Sequence, residues 1–314
     1  LAVIGEREFP YSDLKAFASE RSVGEVIEFG DEELNVETLD ESSFEGVDIA
    51  LFATDGETAS KFVPIAAEAG AICIDNSSFF RMKDDIPLIV PEVNSHAFKK
   101  GMRIIANPNC STIQLVLPLN IIHKAAGLKR VVVSTYQSVS GAGKDALDEL
   151  WNQSLAIFNQ TGFEVQQFPH QIAFNCIPQI DVFTDDGYTK EEKKIINESK
   201  KILGLPNLKI TATTVRVPVF HSHAESVNVE IERELLPTAL AKLLEDAPGI
   251  EVFASHEEYP IQIGAAGGDT VQVGRIRKDA SVEHGLDLWI VSDNLRKGAA
   301  LNAVQIAEMV LKTA

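Results

Sequence analysis

Along the first third of the chain, unbroken apolar runs alternate with stretches whose apolar residues recur every three or four positions. "GVDIALFAT" (46–54) and "AICIDNS" (71–77) predict buried strands. Between them "GETASKFVPIAAEAG" (56–70) predicts an amphipathic helix ending at Gly70. "IPLIVPEVN" (86–94) and "RIIANPN" (103–109) predict two further strands, each running into a polar turn. Buried strands alternating with helices are the pattern of a parallel α/β sheet, covered on both faces.

The pattern changes after residue 127. Six β-branched, mostly alternating runs, "LKRVVVSTYQS", "LKITATTVRVPVF", "ESVNVEIE", "IEVFAS", "VQVGRIR" and "LDLWIVSDN", predict a mixed, mostly antiparallel sheet of an α+β domain. "GKDALDELWNQSLAIF" and "TKEEKKIINESKKILG" predict helices among these strands. "RKGAALNAVQIAEMVLKT" predicts a long closing helix that packs back on the first domain. The expected division is 1–110 plus 295–314 for one domain and 111–294 for the other.

Length supports two domains, since 314 residues exceed what one core usually organises. The net charge of −18 excludes a nucleic-acid partner, which needs clustered Lys and Arg. No apolar run is long enough for a membrane span, and nothing in the opening residues has the basic, apolar, small-residue pattern that would lead one to expect export. Cys73, Cys110 and Cys176 are scattered and odd in number, which fits a reducing cytoplasm rather than a disulfide framework.

Cys110 is the residue with candidate chemistry. It stands in "NPNCST", between a strand with its turn and the helical run "STIQLVLPLNIIHKAAG", whose C-cap is Gly127. A helix N-terminus stabilises a thiolate and offers backbone N–H groups to an oxyanion. Most cysteines are inert core residues, and Cys73 and Cys176 read that way. A nucleophilic cysteine needs a proton acceptor, and "VPVFHSHAES" offers His221 and His223, placed on the same side if the segment is extended. No third ligand stands at metal spacing, so zinc is not expected. "SGAGK" (140–144) lacks the P-loop's first glycine, which falls at Ser138. "GAAGGD" (264–269) reads as a flexible loop, and Glu191 with Lys194 as a solvated pair one turn apart.

Taken together, "NPNCST", "TYQSVSGAGKDAL", "TTVRVPVFHSHAESV", "VGRIR" and "VSDNLRKGAALNAVQIAE" resemble bacterial aspartate-β-semialdehyde dehydrogenases, in the family's order and over essentially the whole chain. The resemblance implies a Rossmann-like parallel-sheet NADP domain plus an α+β catalytic and dimerisation domain with a mixed sheet. It implies reversible, NADP-dependent reductive dephosphorylation of L-aspartyl-4-phosphate to L-aspartate-4-semialdehyde through a cysteine thioester. That step serves lysine (through diaminopimelate), threonine and methionine biosynthesis. Cys110 matches the nucleophile, Gln137 the group orienting the acyl carbon, and His223 the general base. Arg216 matches the group that binds the substrate carboxylate. Arg81, Asn109 and Lys194 match the phosphate site, and Glu191 the partner of the substrate amino group. "ASERSVG" resembles the loop that grips the 2′-phosphate, through Ser19, Arg21 and Ser22. Thr54, Ser140, Gly141 and Asn294 are the other cofactor contacts, and a homodimer is implied.

The family's opening strand and Gly-rich turn are absent from these 314 residues, and the expectation is that they precede Leu1. Two alternatives stand beside this reading: an N-acetylglutamyl-phosphate reductase-like acyl-phosphate reductase, and a non-catalytic binding protein on the same fold.

Overall fold

The computed structural model describes every residue except Arg21, Asp31, His256 and Ala314. The chain forms two compact units, residues 1–91, 95–107 and 300–314, and residues 92–94 and 108–299.

In the first unit, strands β4 (Ile49–Phe52), β5 (Ile72–Asp75) and β6 (Ile104–Ala106) pair in parallel, with helix α2 (Gly56–Glu68) between β4 and β5 in the chain. Asp55 starts α2 by accepting the N–H groups of Glu57 and Thr58. A second small sheet carries β1 (Ala16–Ala18), parallel to β3 (Glu32–Thr38), and β2 (Val26–Phe29), antiparallel to β3. The terminal helix α9 (Leu301–Thr313) lays Ile306, Ala307 and Val310 against Ile74, Ile89 and Ile105. Its first turns, with Leu301 and Val304, meet Val3 and Ile4 of the short helix α1 (Ala2–Glu6) and Phe29 and Leu34. The predicted strand over 86–94 does not form. Pro87 and Pro91 lack the N–H groups a ladder needs, so only Leu88 bridges to Ala106, and Pro91–Asn94 turns into a short helix, α3.

The second unit is built on a six-stranded sheet in the order β10-β11-β12-β9-β7-β8. Its strands are the six predicted runs: β7 (Leu128–Gln137), β8 (Lys209–Arg216), β9 (His223–Ile231), β10 (Ile250–Phe253), β11 (Val271–Lys278) and β12 (Gly285–Ser292). The two outer pairings are parallel and the three inner ones antiparallel. Helix α4 (Cys110–Ala126) is apolar on nearly every side and accordingly buried, and Gly127 ends it at φ +75°. Helices α5 (Lys144–Phe158) and α6 (Lys190–Leu203) follow, then α7 (Pro237–Glu245) and the single turn α8 (Gln262–Ala265). The predicted closing helix is interrupted. Arg296–Ala300 is a π-helical turn, capped by Asp293, whose carboxylate accepts the Leu295 and Arg296 N–H groups. No described helix is long and apolar enough to cross a membrane.

Candidate active site

Strand register assembles the first part of the site. Gln137 ends β7, and it pairs with Arg216, the last residue of β8, and with His223, the first of β9. Directly opposed residues on neighbouring strands point to the same face, so the three side chains form one row across the sheet. All three are buried. Arg216 Nη1 donates to the Ser138 carbonyl at 2.6 Å.

His223 accepts the Ser138 N–H at Nδ1 (3.1 Å), and Ser138 Oγ lies at the same distance from that nitrogen. In this arrangement the ring proton of the neutral imidazole sits on Nε2. Burial, then the nearby Arg216 charge, lowers the His223 pKa to about 3, so the ring is neutral across the physiological range. Gly141 leaves room here: a Cβ on it would stand 3.2 Å from Nε2 and 3.3 Å from Arg216 Nη1.

Cys110 is the first residue of α4 and is half-buried. Asn109 is the N-cap, and its Oδ1 accepts the Ser111 and Thr112 N–H groups at 3.0 and 3.2 Å. Its Nδ2 donates to Glu191 Oε1 at 2.8 Å, and the same oxygen accepts Gln137 Nε2 at 3.2 Å. Glu191 thereby ties the start of α4 to the row on the sheet. The predicted solvated pair is therefore wrong for Glu191, which is buried; its other oxygen takes Lys194 Nζ at 3.1 Å. Burial alone would raise the Glu191 pKa, but the Lys194 charge and the Asn109 and Gln137 hydrogen bonds outweigh it and hold it low. Lys194 also donates to Asp181 at 3.0 Å. Burial lowers the Arg216 pKa, against the opposing pull of Glu191 and then of Cys110.

The remaining expected residues fall into separate groups. Asn294 Oδ1 accepts the Ser222 N–H at 2.9 Å, and its Nδ2 donates to Ser140 Oγ at 3.0 Å, so both side chains brace the loop beside His223. Arg81 is in the first unit, where it donates to the Asn76 carbonyl at 2.8 Å. Ser19 and Ser22 form a turn just after β1, Thr54 follows β4, and Arg21 lies outside the described residues. Thr54, Asn76 and Asn107 stand just past the carboxyl ends of β4, β5 and β6, with Asn107 Nδ2 donating to Asn76 Oδ1 at 2.7 Å. Hydroxyls and amides at the carboxyl edge of a parallel sheet suit a dinucleotide, so these residues fit one.

Three further expectations are overturned. His221 and His223 do not share a side, because Ser222 adopts φ +71° and breaks the extended run, leaving His221 exposed. Cys176 is exposed rather than in the core, since residues around it form a loop in which Asn175 Oδ1 takes its N–H. The loop at 264–269 is anchored, with the Gly267 N–H donating to Asp293 Oδ2 at 2.7 Å.

Sequence reasoning also missed several residues. Ser138 orients His223, and its only signal was adjacency to Gln137. Glu198, on α6, accepts the Asn109 N–H. Lys297 is wholly buried and meets both oxygens of Glu92 at 2.8 Å, while a Cβ on its neighbour Gly298 would come within 3.0 Å of Cys110 Cβ. Glu225 is a buried carboxyl on β9 beside Gln114, and burial raises its pKa well above the usual range.

The chain resembles known proteins over almost its whole length. Residues 1–101 match the family model described as semialdehyde dehydrogenase, NAD binding domain, and residues 119–297 the model described as semialdehyde dehydrogenase, dimerisation domain. The aspartate-semialdehyde dehydrogenase of Aquifex aeolicus is 52% identical over 318 residues, covering 99% of this chain and 94% of that protein. The crystal structure of aspartate semialdehyde dehydrogenase II from Vibrio cholerae superposes with a TM-score of 0.97 at 50% identity, covering 99% of this chain and 94% of that one. A second Vibrio cholerae structure, of aspartate semialdehyde dehydrogenase II complexed with ASA, gives 0.97 at 49% identity with the same coverage.

Proposed function

The chain belongs to the semialdehyde dehydrogenase family, and from that premise we propose that it interconverts L-aspartyl-4-phosphate and L-aspartate-4-semialdehyde. It is an oxidoreductase of amino-acid biosynthesis that uses a nicotinamide dinucleotide and acts as a homodimer. In our reading NADP is the form used, Ser19, Arg21 and Ser22 contacting its 2′-phosphate and Thr54, Ser140, Gly141 and Asn294 the remainder. Residues 1–110 with 295–314 are the proposed dinucleotide domain, 111–294 the proposed catalytic and dimerisation domain, and the cytoplasm the proposed location.

Cys110 is the proposed nucleophile. Its thiolate, stabilised at the N-terminus of α4, attacks the acyl carbon; the bond to the phosphate oxygen breaks, inorganic phosphate leaves, and a thioester remains. Gln137 orients the acyl group, Arg216 holds the substrate carboxylate, and Glu191 the amino group. Arg81, Asn109 and Lys194 receive the phosphate, Lys194 exchanging Asp181 for it. When bound, the reduced nicotinamide supplies the hydride that turns the thioester into aldehyde and thiolate. His223 Nε2–H donates to the oxygen on which charge develops. In the oxidative direction the other tautomer, which gives up the Ser138 N–H and donates Nδ1–H to Ser138 Oγ instead, leaves Nε2 bare to take the thiohemiacetal proton.

What carries this reading is Glu191, whose Oε1 accepts both Asn109 Nδ2 and Gln137 Nε2 and so joins the cysteine's helix to the row of Gln137, Arg216 and His223. The test compares initial rates with L-aspartate-4-semialdehyde and with N-acetylglutamate semialdehyde, each with NADP⁺ and phosphate. The expected result is turnover of the first, lost in Cys110→Ala. A preference for the acetylated substrate would make the enzyme an acyl-phosphate reductase of the other kind.

A further inference from the structure

Helix α6 begins with a capping box of its own. Thr189 Oγ1 accepts the Glu192 N–H, and Glu192 Oε2 accepts the Thr189 N–H at 2.7 Å. Helix α4 has half of one. Asn109 caps the second and third residues, but the position from which a Glu or Gln would reach back to the N-cap N–H is Thr112, which is too short and carries no carboxylate. The Asn109 N–H is satisfied nonetheless, by Glu198 Oε2 at 2.7 Å. Glu198 belongs to α6, seven residues beyond Glu191, so the two carboxylates stand two turns apart on one face of that helix. Glu191 holds the Asn109 side chain, and Glu198 holds its backbone.

Glu198 is 1% exposed. A buried carboxylate is costly unless fixed donors and a favourable field receive it. The N-terminus of α4 supplies both, through the Asn109 N–H and the positive end of the helix dipole. An apolar residue at 198 would avoid that desolvation but would leave the N-cap N–H without an acceptor. Supplying the carboxylate from α6 also keeps the first turn of α4, where Cys110 sits, clear of a long side chain folded back over it.

We propose that Glu198 is a positioning residue for Cys110: it completes the capping box of α4 from a neighbouring helix and thereby sets where the nucleophile stands. It acts through Asn109 and does not touch substrate. This rests on the reading of Cys110 as the nucleophile.

Steady-state kinetics of Glu198→Ala, Glu198→Gln and Glu198→Asp, with Cys110→Ala as reference, test it in the phosphorylating oxidation of L-aspartate-4-semialdehyde. Glu198→Ala is expected to lower kcat about 10- to 100-fold, because small misplacements of a reacting group are expensive. KM for the semialdehyde should stay within about twofold, since no substrate contact is lost. Glu198→Gln, whose amide oxygen accepts the same N–H, should recover most of kcat. Glu198→Asp, one methylene short, should behave as Glu198→Ala. Wild-type kcat in Glu198→Ala, equal impairment of the Gln and Ala variants, or a loss confined to KM each overturns the proposal. Should Glu198→Ala not fold, the Asp and Gln variants decide by the same criterion: Asp at or above Gln sinks it. Activity surviving in Cys110→Ala would instead remove the nucleophile reading itself. An inactive Cys110→Ala beside unimpaired Glu198 variants removes only the positioning role.

Discussion

His223 shows how much of a residue's chemistry is set by where it is buried. In an unfolded chain its imidazole would take a proton as the pH falls through about 6.5. In the folded protein burial and the Arg216 charge hold the pKa at about 3. Between those values the unfolded state binds the extra proton, so the stabilising contribution is complete above about 6.5 and is lost as the pH falls toward 3. The expected loss is on the order of a few kcal/mol over that window. His223→Asn, which cannot take the proton, should show a flatter stability curve from pH 6.5 to 4 in urea titrations; parallel curves would mean the ring titrates normally. The cysteines teach the same lesson. Burial, reinforced by the Asp75 charge, pushes the Cys73 thiol up to about 12, while Cys110 meets a helix N-terminus instead. A sequence shows three identical letters; only packing separates them. The exposure of Cys176 and of His221 was illegible for that reason, since a single left-handed residue, Ser222, decides the second.

At the scale of elements, α6 is the organiser of the site. Its capping box sets the helix start, and that start sets where Glu191 and Glu198 emerge. Glu192 Oε1 also accepts the Thr214 N–H at 3.0 Å, joining the helix to β8 two residues before Arg216. Thr189→Ala should therefore cost about 1 kcal/mol, the usual value of an N-cap, read as a fall of about 2 °C in Tm by calorimetry. No change in Tm would show the cap to be redundant. The periodicity of α2, α4, α5 and α6 and the alternation of the second unit's six strands were legible because each buries one dominant face or all of them. The stretch 86–94 was misread because an apolar run records burial and not hydrogen bonding, and its two prolines remove the donors. The π-helical turn at Arg296–Ala300 has no periodic signature within a run that reads as continuous helix; Asp293 caps it and Gly298 fits against Cys110.

For the whole molecule, the informative surface is apolar. Trp151, Leu155 and Phe158 repeat along one face of α5 and are exposed, Phe158 at 74%, and Phe158 stacks edge-on with exposed Phe174 at 5.7 Å. Patches of this kind on a folded chain mark interaction sites, and a second copy of the chain is the occupant expected in a dimerisation domain. Phe158→Glu should shift the protein to monomer in sedimentation equilibrium at micromolar concentration, while a dimer of unchanged affinity would place the interface elsewhere.

The sequence by itself determined the two kinds of sheet, the start of α4 at Cys110 and, through family resemblance, the reaction. These depend on periodicity, turn chemistry and motif order, which are local properties of the chain. Tertiary structure alone decided that Gln137, Arg216 and His223 share one row, that Glu191 joins that row to Asn109, and that Glu198 closes the cap of α4. The hydrogen bonds that tie these groups together link residues 54 to 89 positions apart. Strand register and helix packing, not spacing along the chain, bring them within hydrogen-bonding distance.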